Sequence, residues 1–143
     1  MEAKRFLLQI KKLDRLIENK LAEVQRLKEM AMSVTGSPSS DRVQSMGNPS
    51  RMADTIAKYI DLENEINADI DRLIEVRKEV ISVIEQLDAV EYDILHKLYV
   101  QDWTLQEVAD KYERAYGWAA ANQTIAINRV QAILDRQNEP TSV

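Results

Sequence analysis

The stretch that decides the fold is Thr104-Leu105-Gln106-Glu107-Val108-Ala109-Asp110-Lys111-Tyr112. Its first residue, Thr104, is a favourable N-cap, and Glu107 three positions later completes the sequence pattern of a capping box. Apolar side chains then recur at positions 105, 108, 109 and 112, the spacing of one helix face. The stretch therefore predicts a short amphipathic helix that begins directly after Thr104.

A tight turn and a longer helix are expected after this short helix. The helical pattern is interrupted between Glu113 and Gly117, and it resumes from Trp118 to Gln137. A short helix, a turn and a longer helix form the pattern of a helix-turn-helix. A supporting helix is predicted ahead of the pair, from about residue 89 to 101, with Asp88 as its N-cap. Its apolar face consists of Tyr92, Leu95, Leu98 and Tyr99.

These residues resemble region four of bacterial sigma factors, and more narrowly the late transcriptional regulators of Gram-positive phages, the RinA/ArpU type. The segment Asp41-Arg42-Val43-Gln44-Ser45 resembles a recurrent piece of the same family, so the resemblance covers roughly residues 30 to 137. It implies a regulator, cytoplasmic in a bacterial host cell, that binds double-stranded promoter DNA, with RNA polymerase as a further partner. The resemblance is carried by Leu95, Leu98, Tyr99, Thr104, Leu105, Glu107, Val108, Ala109, Tyr112, Tyr116, Gly117, Trp118, Ala126 and Ile127.

The longer helix has a predicted inner and outer face when each residue turns by about 100° from Val130. Positions 119, 123, 126, 127, 133 and 134 fall inward, whereas positions 121, 124, 125 and 128 fall outward. In a DNA-binding helix-turn-helix, the first turns of the second helix enter the major groove. We therefore expect the outward positions to face DNA, with Ala120 and Trp118 at the flanks.

The side-chain types at these positions suggest individual contacts. Asn128 suits adenine, and Thr124 and the alanines suit thymine methyl groups. Lys111, Arg114 and Arg129 are candidates for phosphate contacts, as are the backbone amides after Thr104. The candidate DNA-binding residues are Thr104, Lys111, Arg114, Ala120, Ala121, Thr124, Ile125, Asn128 and Arg129.

Two long helices are predicted ahead of this region. Residues 3–32 carry apolar side chains every seven positions from Ile10 to Ala31, and Lys20 interrupts the intervening set that contains Leu13 and Leu27. Residues 52–87 carry a second such stripe. The Ser-, Gly- and Pro-rich residues 33–51 are expected to form a flexible connection. We therefore predict an all-α protein with a long antiparallel, coiled-coil-like helical hairpin in residues 1–87, a helix-turn-helix domain in 88–137 and a disordered tail in 138–143.

The second long helix predicts a homo-oligomer. Between Leu73 and Leu87 its apolar residues occupy most of the circumference, which exceeds what one partner helix covers. We expect either the C-terminal domain or another subunit to cover the remainder.

Composition argues against several other classes of protein. The 143 residues include no cysteine and a single histidine, His96, and lack a phosphate-binding glycine loop or a recognisable catalytic set. We therefore expect neither an enzyme nor a metal or cofactor site. No apolar stretch has the length of a membrane span, and no signal peptide pattern precedes the first helix.

The net charge of −5 leaves two alternatives to the regulator open. Eight acidic and five basic residues lie between Asp88 and Gln137, which is unfavourable for DNA. The first alternative is a protein-interaction module that has lost DNA binding, favoured by the outward Ile125. The second is a DNA-recognising small terminase subunit, since such packaging proteins also join a helix-turn-helix to an oligomerising helical part.

Overall fold

The computed structural model of the chain describes residues 1–36 and 49–139. Within these ranges every regular element is helical, which confirms the all-α prediction. Residues 41–45, which carry part of the family resemblance, lie outside the described residues, as do most of the predicted connection 33–51 and the end of the predicted tail. The elements are α1 (Ala3–Gly36), α2 (Pro49–Ile84), α3 (Ala89–Leu95), a π-helical turn (His96–Val100), α4 (Leu105–Lys111) and α5 (Tyr116–Gln137).

The two long helices differ from the prediction at their ends. Helix α1 continues to Gly36 rather than ending at residue 32, and α2 begins at Pro49 rather than 52. Proline suits the first position of a helix, because its missing N–H has no intrahelical acceptor there and its φ angle is already helical. Helix α2 ends at Ile84, and the backbone then turns through bonds from the amides of Gln86 and Leu87.

Contacts divide the chain into two compact units, Met1–Leu13 with Leu73–Val143, and Asp14–Arg72. These units differ from the predicted domains 1–87 and 88–137. The beginning of α1 belongs with the C-terminal helices, a non-local association that local sequence patterns do not reveal.

The unit Asp14–Arg72 joins segments of α1 and α2 by ion pairs. Nζ of Lys20 lies 2.7 Å from Oδ2 of Asp69, and Nζ of Lys28 lies 3.3 Å from Oε2 of Glu63. Because partner numbers fall along α2 as they rise along α1, the two segments run in opposite directions. The hydrogen bond to Asp69 raises the pKa of Lys20, so the residue that interrupts the apolar stripe acts as a charged cross-link. The apolar residues buried in this unit are Ile17, Val24, Ala31 and Ile66.

The stripe on α1 is narrower than the sequence suggests. Ile17 and Val24 are buried as predicted. Three leucines, Leu7, Leu16 and Leu21, are predicted to widen the stripe; Leu7, in the other unit, is buried, but Leu16 and Leu21 are 40% and 51% exposed. Seven-residue spacing identifies the centre of a buried face more dependably than its edges, because an edge position is covered only if a neighbouring element reaches it.

The other unit contains the main core of the protein. Its fully buried residues come from α1 (Leu7, Ile10), α2 (Val80, Ile84), α3 (Ile94, Leu95), α4 (Val108, Ala109) and α5 (Ala119, Ala126, Val130). Polar contacts fix the chain start on α5, since Oε1 of Gln131 accepts from the amide of Ala3 at 2.7 Å and its Nε2 donates to the Met1 carbonyl. Lys11 pairs with Asp102 at 3.1 Å.

Much of the apolar surface from Leu73 to Leu87 is therefore covered inside this unit. Val76, Val83 and Ile84 are at most 5% exposed, whereas Ile74 is 49% exposed. The C-terminal helices and the start of α1 cover this part of α2. From the sequence, either the C-terminal domain or another subunit is expected to cover it.

Candidate nucleic-acid interface

The capping box at the start of α4 is confirmed. Oγ1 of Thr104 accepts a hydrogen bond from the amide of Glu107 at 3.1 Å, and Oε1 of Glu107 accepts from the amide of Thr104 at 3.0 Å. Two backbone donors that would lack an intrahelical partner are thereby satisfied. Because the cap uses the Thr104 hydroxyl and the amide of Glu107, a phosphate at this helix end would bind through the amides of Leu105 and Gln106 or replace a hydrogen bond of the cap.

The turn between α4 and α5 contains a backbone conformation that the sequence does not announce. Glu113 has φ of 54°, in the left-handed region where a non-glycine residue is strained. The next amide, that of Arg114, donates to the carbonyl of Ala109 at 2.9 Å and closes the turn. Helix α5 then begins at Tyr116, two residues before the predicted start at Trp118.

Packing beneath the turn holds the candidate cations at its surface. The rings of Tyr112 and Trp118 lie 5.2 Å apart between centroids, and the guanidinium carbon of Arg114 lies 5.6 Å from the Trp118 ring centroid. Lys111, in the last turn of α4, and Arg114 are both exposed. The turn therefore carries two solvent-exposed cations, three positions apart in the sequence.

The predicted faces of α5 are confirmed by burial. Ala119, Ala126, Val130, Ile133 and Leu134 are buried, at 5% exposure or less. The outward set Ala121, Thr124, Ile125 and Asn128 is exposed, and Ala120 is half-buried at the flank.

Thr124 and Ile125 differ in which side-chain groups they can offer to a ligand. The hydroxyl of Thr124 donates to the carbonyl of Ala120 at 3.2 Å, which leaves its methyl group and oxygen lone pairs outward. Ile125 is 48% exposed, so about half of this apolar side chain is open to solvent or to a ligand.

Arg129 forms ion pairs with two carboxylates at the start of α3. One guanidinium nitrogen, Nη1, is 2.7 Å from Oε2 of Glu91 and 2.9 Å from Oδ2 of Asp88. Asp88 occupies the N-cap position of α3 as predicted, but its side chain makes no capping bond there. Burial raises the pKa of Glu91, the neighbouring Asp88 adds to this, and Arg129 opposes both. Arg129 thus acts as a counter-ion within the fold, and its predicted phosphate contact stays a prediction.

The chain matches no family model, no curated protein and no solved structure in comparisons with known proteins. The resemblance to sigma region four stays a prediction that rests on the residues quoted for it.

A polar network between α3, the π-helical turn and α4 escaped the sequence analysis. Asp93 accepts hydrogen bonds from the Tyr112 hydroxyl and from Nζ of Lys97. Burial acts to raise the pKa of Asp93, but these two bonds outweigh it and hold the value below its ordinary range. Burial and the hydrogen bond that the Tyr112 hydroxyl donates to Asp93 raise the pKa of Tyr112 to about 12. The network fixes α4 on the supporting helix by charge-assisted bonds.

Gln123 and His96 also have structural partners. Gln123, predicted to face inward, is half-buried and donates from Nε2 to the Tyr99 hydroxyl at 2.8 Å. His96 is half-buried with Nδ1 2.8 Å from Nε2 of Gln101, and burial together with the nearby Arg77 lowers its pKa. Both polar groups serve the packing of the helices.

Ion pairing changes the local charge balance inferred from the sequence. Among the described residues, Asp88 and Glu91 pair with Arg129, Asp93 pairs with Lys97, and Asp102 pairs with a lysine of α1. The acids of residues 88–137 without an ion pair in the described ranges are Glu107, Asp110, Glu113 and Asp135, and the corresponding cations are Lys111, Arg114 and Arg136. Because Asp88 and Glu91 share one arginine, the region stays acidic: with Lys11 included its net charge is −2, compared with −3 from residues 88–137 alone.

The described residues contain neither a candidate metal site nor a candidate membrane-spanning helix. They hold no group of three or more side chains placed to bind a metal ion. Three carboxylates of α2 pair with lysines of α1: Glu63 with Lys28, and both Glu65 and Asp69 with Lys20. None of the described helices combines the length and the apolar character needed to cross a membrane.

Proposed function

We propose that this chain is a DNA-binding transcriptional regulator of the phage sigma-region-four-like type. In this proposal α4 and α5 form the helix-turn-helix, α3 supports it, and the first turns of α5 enter the major groove of promoter DNA. The long helices α1 and α2 form an antiparallel hairpin, and RNA polymerase is a second partner alongside the promoter.

The observation that carries the proposal is the outer face of α5. Ala121, Thr124 and Asn128 are exposed on one side of a helix whose opposite side is anchored by buried Val130 and Ala126. Small side chains allow close approach to base edges, and an exposed asparagine supplies the paired donor and acceptor that adenine requires. A rigid helix with this face outward is what direct reading of bases needs.

The cations of the turn support the same function. Lys111 and Arg114 are exposed next to the start of α5 and have no ion-pair partner among the described residues. Phosphate neutralisation by such residues orients a reading helix in the groove without carrying sequence information itself. Because Arg129 is already paired, we assign the phosphate contacts to these two residues and not to Arg129.

The test is a selection of the full chain over random duplexes, followed by titrations of the enriched site. Asn128→Ala and Thr124→Ala should each weaken specific binding by about 1–3 kcal/mol and leave nonspecific binding unchanged. Arg114→Ala should weaken both kinds of binding and reduce the salt slope by about one unit. Arg136→Ala, an equal charge change in the last turn of α5, is the matched control and should leave both unchanged.

A protein-interaction function is favoured by one feature of the same surface. Ile125 and Tyr116 are 48% and 53% exposed on the first half of α5, and large exposed apolar groups are common at protein interfaces. A selection that enriches no sequence, even with RNA polymerase present, would favour this alternative over DNA binding.

A further inference from the structure

One face of α2 remains open although the opposite face is buried. A shallow groove with a volume of about 400 Å³ is lined by Ile74, Arg77, Lys78, Ile81, Ser82 and Glu85. At about 100° per residue these positions fall within a single arc of the helix, away from buried Val76 and Val83. The floor is apolar, since Ile74 is 49% exposed and Ile81 is half-buried beside it.

The groove carries two cations, Arg77 and Lys78, toward one end and the carboxylate of Glu85 at the other. Arg77 lies one helical turn before Ile81, and Glu85 lies one turn after it. Neither side chain has an ion-pair partner in the described residues 1–36 and 49–139. A partly buried arginine can cover apolar surface with its aliphatic stem and keep its charged head accessible to a partner.

We propose that this groove binds the same groove of a second copy of the chain, with the two α2 helices antiparallel and a two-fold axis at Ile81. In that arrangement Ile81 packs against its own copy, and Arg77 of each chain meets Glu85 of the other. Two-fold symmetry forms both ion pairs together. A parallel arrangement would place Arg77 against Arg77, so the charges select the antiparallel one.

The contact is a weak dimer, and it does not depend on DNA binding. A single groove buries less surface than the interfaces of stable dimers, so association should depend on concentration and on salt. The sequence analysis expected an oligomer through the apolar surface from Leu73 to Leu87. The structure covers most of that surface internally, and the proposed contact uses the arc that remains.

Charge reversal tests the pairing, with sedimentation of the full chain over a wide concentration range at low salt. Arg77→Glu and Glu85→Arg should each raise the dissociation constant about tenfold or more, because each replaces two attractions by two repulsions. The double variant should recover wild-type association. An equimolar mixture of the two single variants should form a heterodimer, detectable by native mass spectrometry, since both cross-chain pairs are then attractive.

Glu79→Arg is the control, because Glu79 is exposed on α2 outside the groove arc and undergoes the same charge change as Glu85→Arg. It should associate as the wild type does, and helical content and melting temperature should show that all variants are folded. A wild-type chain that is monomeric throughout would overturn the proposal. So would a dimer that is indifferent to both reversals, or single variants that fail to associate with each other.

Discussion

Replacing Arg129 with alanine should destabilise the fold because it removes the cation beside a buried carboxylate. The side chain of Glu91 is 9% exposed, and its Oε2 lies 2.7 Å from Nη1 of Arg129. The other oxygen, Oε1, is buried without a hydrogen-bond partner among the described residues. In the Arg129→Ala protein, neither oxygen would retain a charged partner.

The size of the effect follows from the environment of the two groups. Removing one member of a fully buried ion pair costs about 3–5 kcal/mol, because the remaining charge is left unsolvated. Here Arg129 is 54% exposed, so part of its attraction to Glu91 is already screened by water. We therefore expect Arg129→Ala to lower the free energy of unfolding by about 2–3 kcal/mol at pH 7.

The loss should depend on pH in a defined direction. Burial raises the pKa of Glu91 in the folded protein above its ordinary value of 4.5. The folded state then binds a proton more readily than the unfolded state, so this group adds stability at low pH and loses it as pH rises through the raised pKa. Removing Arg129 raises that pKa further, and the destabilisation should shrink toward about 1 kcal/mol near pH 4.

Urea unfolding at pH 7 and pH 4 measures both quantities. Adding Glu91→Gln to Arg129→Ala should restore at least about 1 kcal/mol at pH 7, because a neutral amide costs less to bury than a carboxylate. Arg136→Ala, in the exposed last turn of the same helix, should cost less than about 1 kcal/mol at either pH. A loss below about 0.5 kcal/mol for Arg129→Ala at pH 7 would refute the buried-pair reasoning.

Two other substitutions test the turn and the polar network. Glu113→Gly should stabilise the protein by about 0.5–1 kcal/mol in thermal unfolding, because glycine accepts the φ of 54° without strain. Glu113→Ala keeps the strain and should not stabilise the protein. Equal effects of the two substitutions would contradict this reasoning. Tyr112→Phe should cost about 1–2 kcal/mol at neutral pH and remove the tyrosine that titrates at about 12 in ultraviolet absorbance. In this variant Asp93 loses a hydrogen-bond donor, so its lowered pKa should rise toward the ordinary value. The stability that the ionised Asp93 supplies should then be lost at a higher pH when the solution is acidified. An unchanged acid transition would argue against the bond.

Features that depend on neighbouring residues could be predicted from the sequence. The capping box between Thr104 and Glu107 needs only a hydroxyl and a carboxylate three positions apart at a helix start. The two faces of α5 follow from helix geometry once Val130 is taken as the centre of the buried side. Burial confirmed the inward and outward positions because a second layer of helices covers that side.

Features that depend on distant partners could not be predicted in the same way. Arg129 lies 38 residues from Glu91 in sequence, and no local pattern indicates that the two side chains meet. Gln131 binds the backbone of residues 1 and 3 by the same kind of long-range contact, which places the chain start with the C-terminal helices. The strain at Glu113 was hidden for a different reason, since the residue type gives no sign of a positive φ.

The charge available to DNA is set by which side chains are paired, and this changes the weight of the acidic composition. A net count treats Asp88, Glu91 and Asp93 as free negative charges beside the proposed reading helix, but Asp93 pairs with Lys97, and Asp88 and Glu91 share Arg129. A paired carboxylate acts at a distance as part of a dipole, and its field falls off faster than that of an isolated charge. The unpaired Lys111 and Arg114 are then opposed mainly by acids of their own helix and turn. The local field at the start of α5 is therefore the quantity that decides phosphate binding, and the Arg114→Ala salt slope measures it directly.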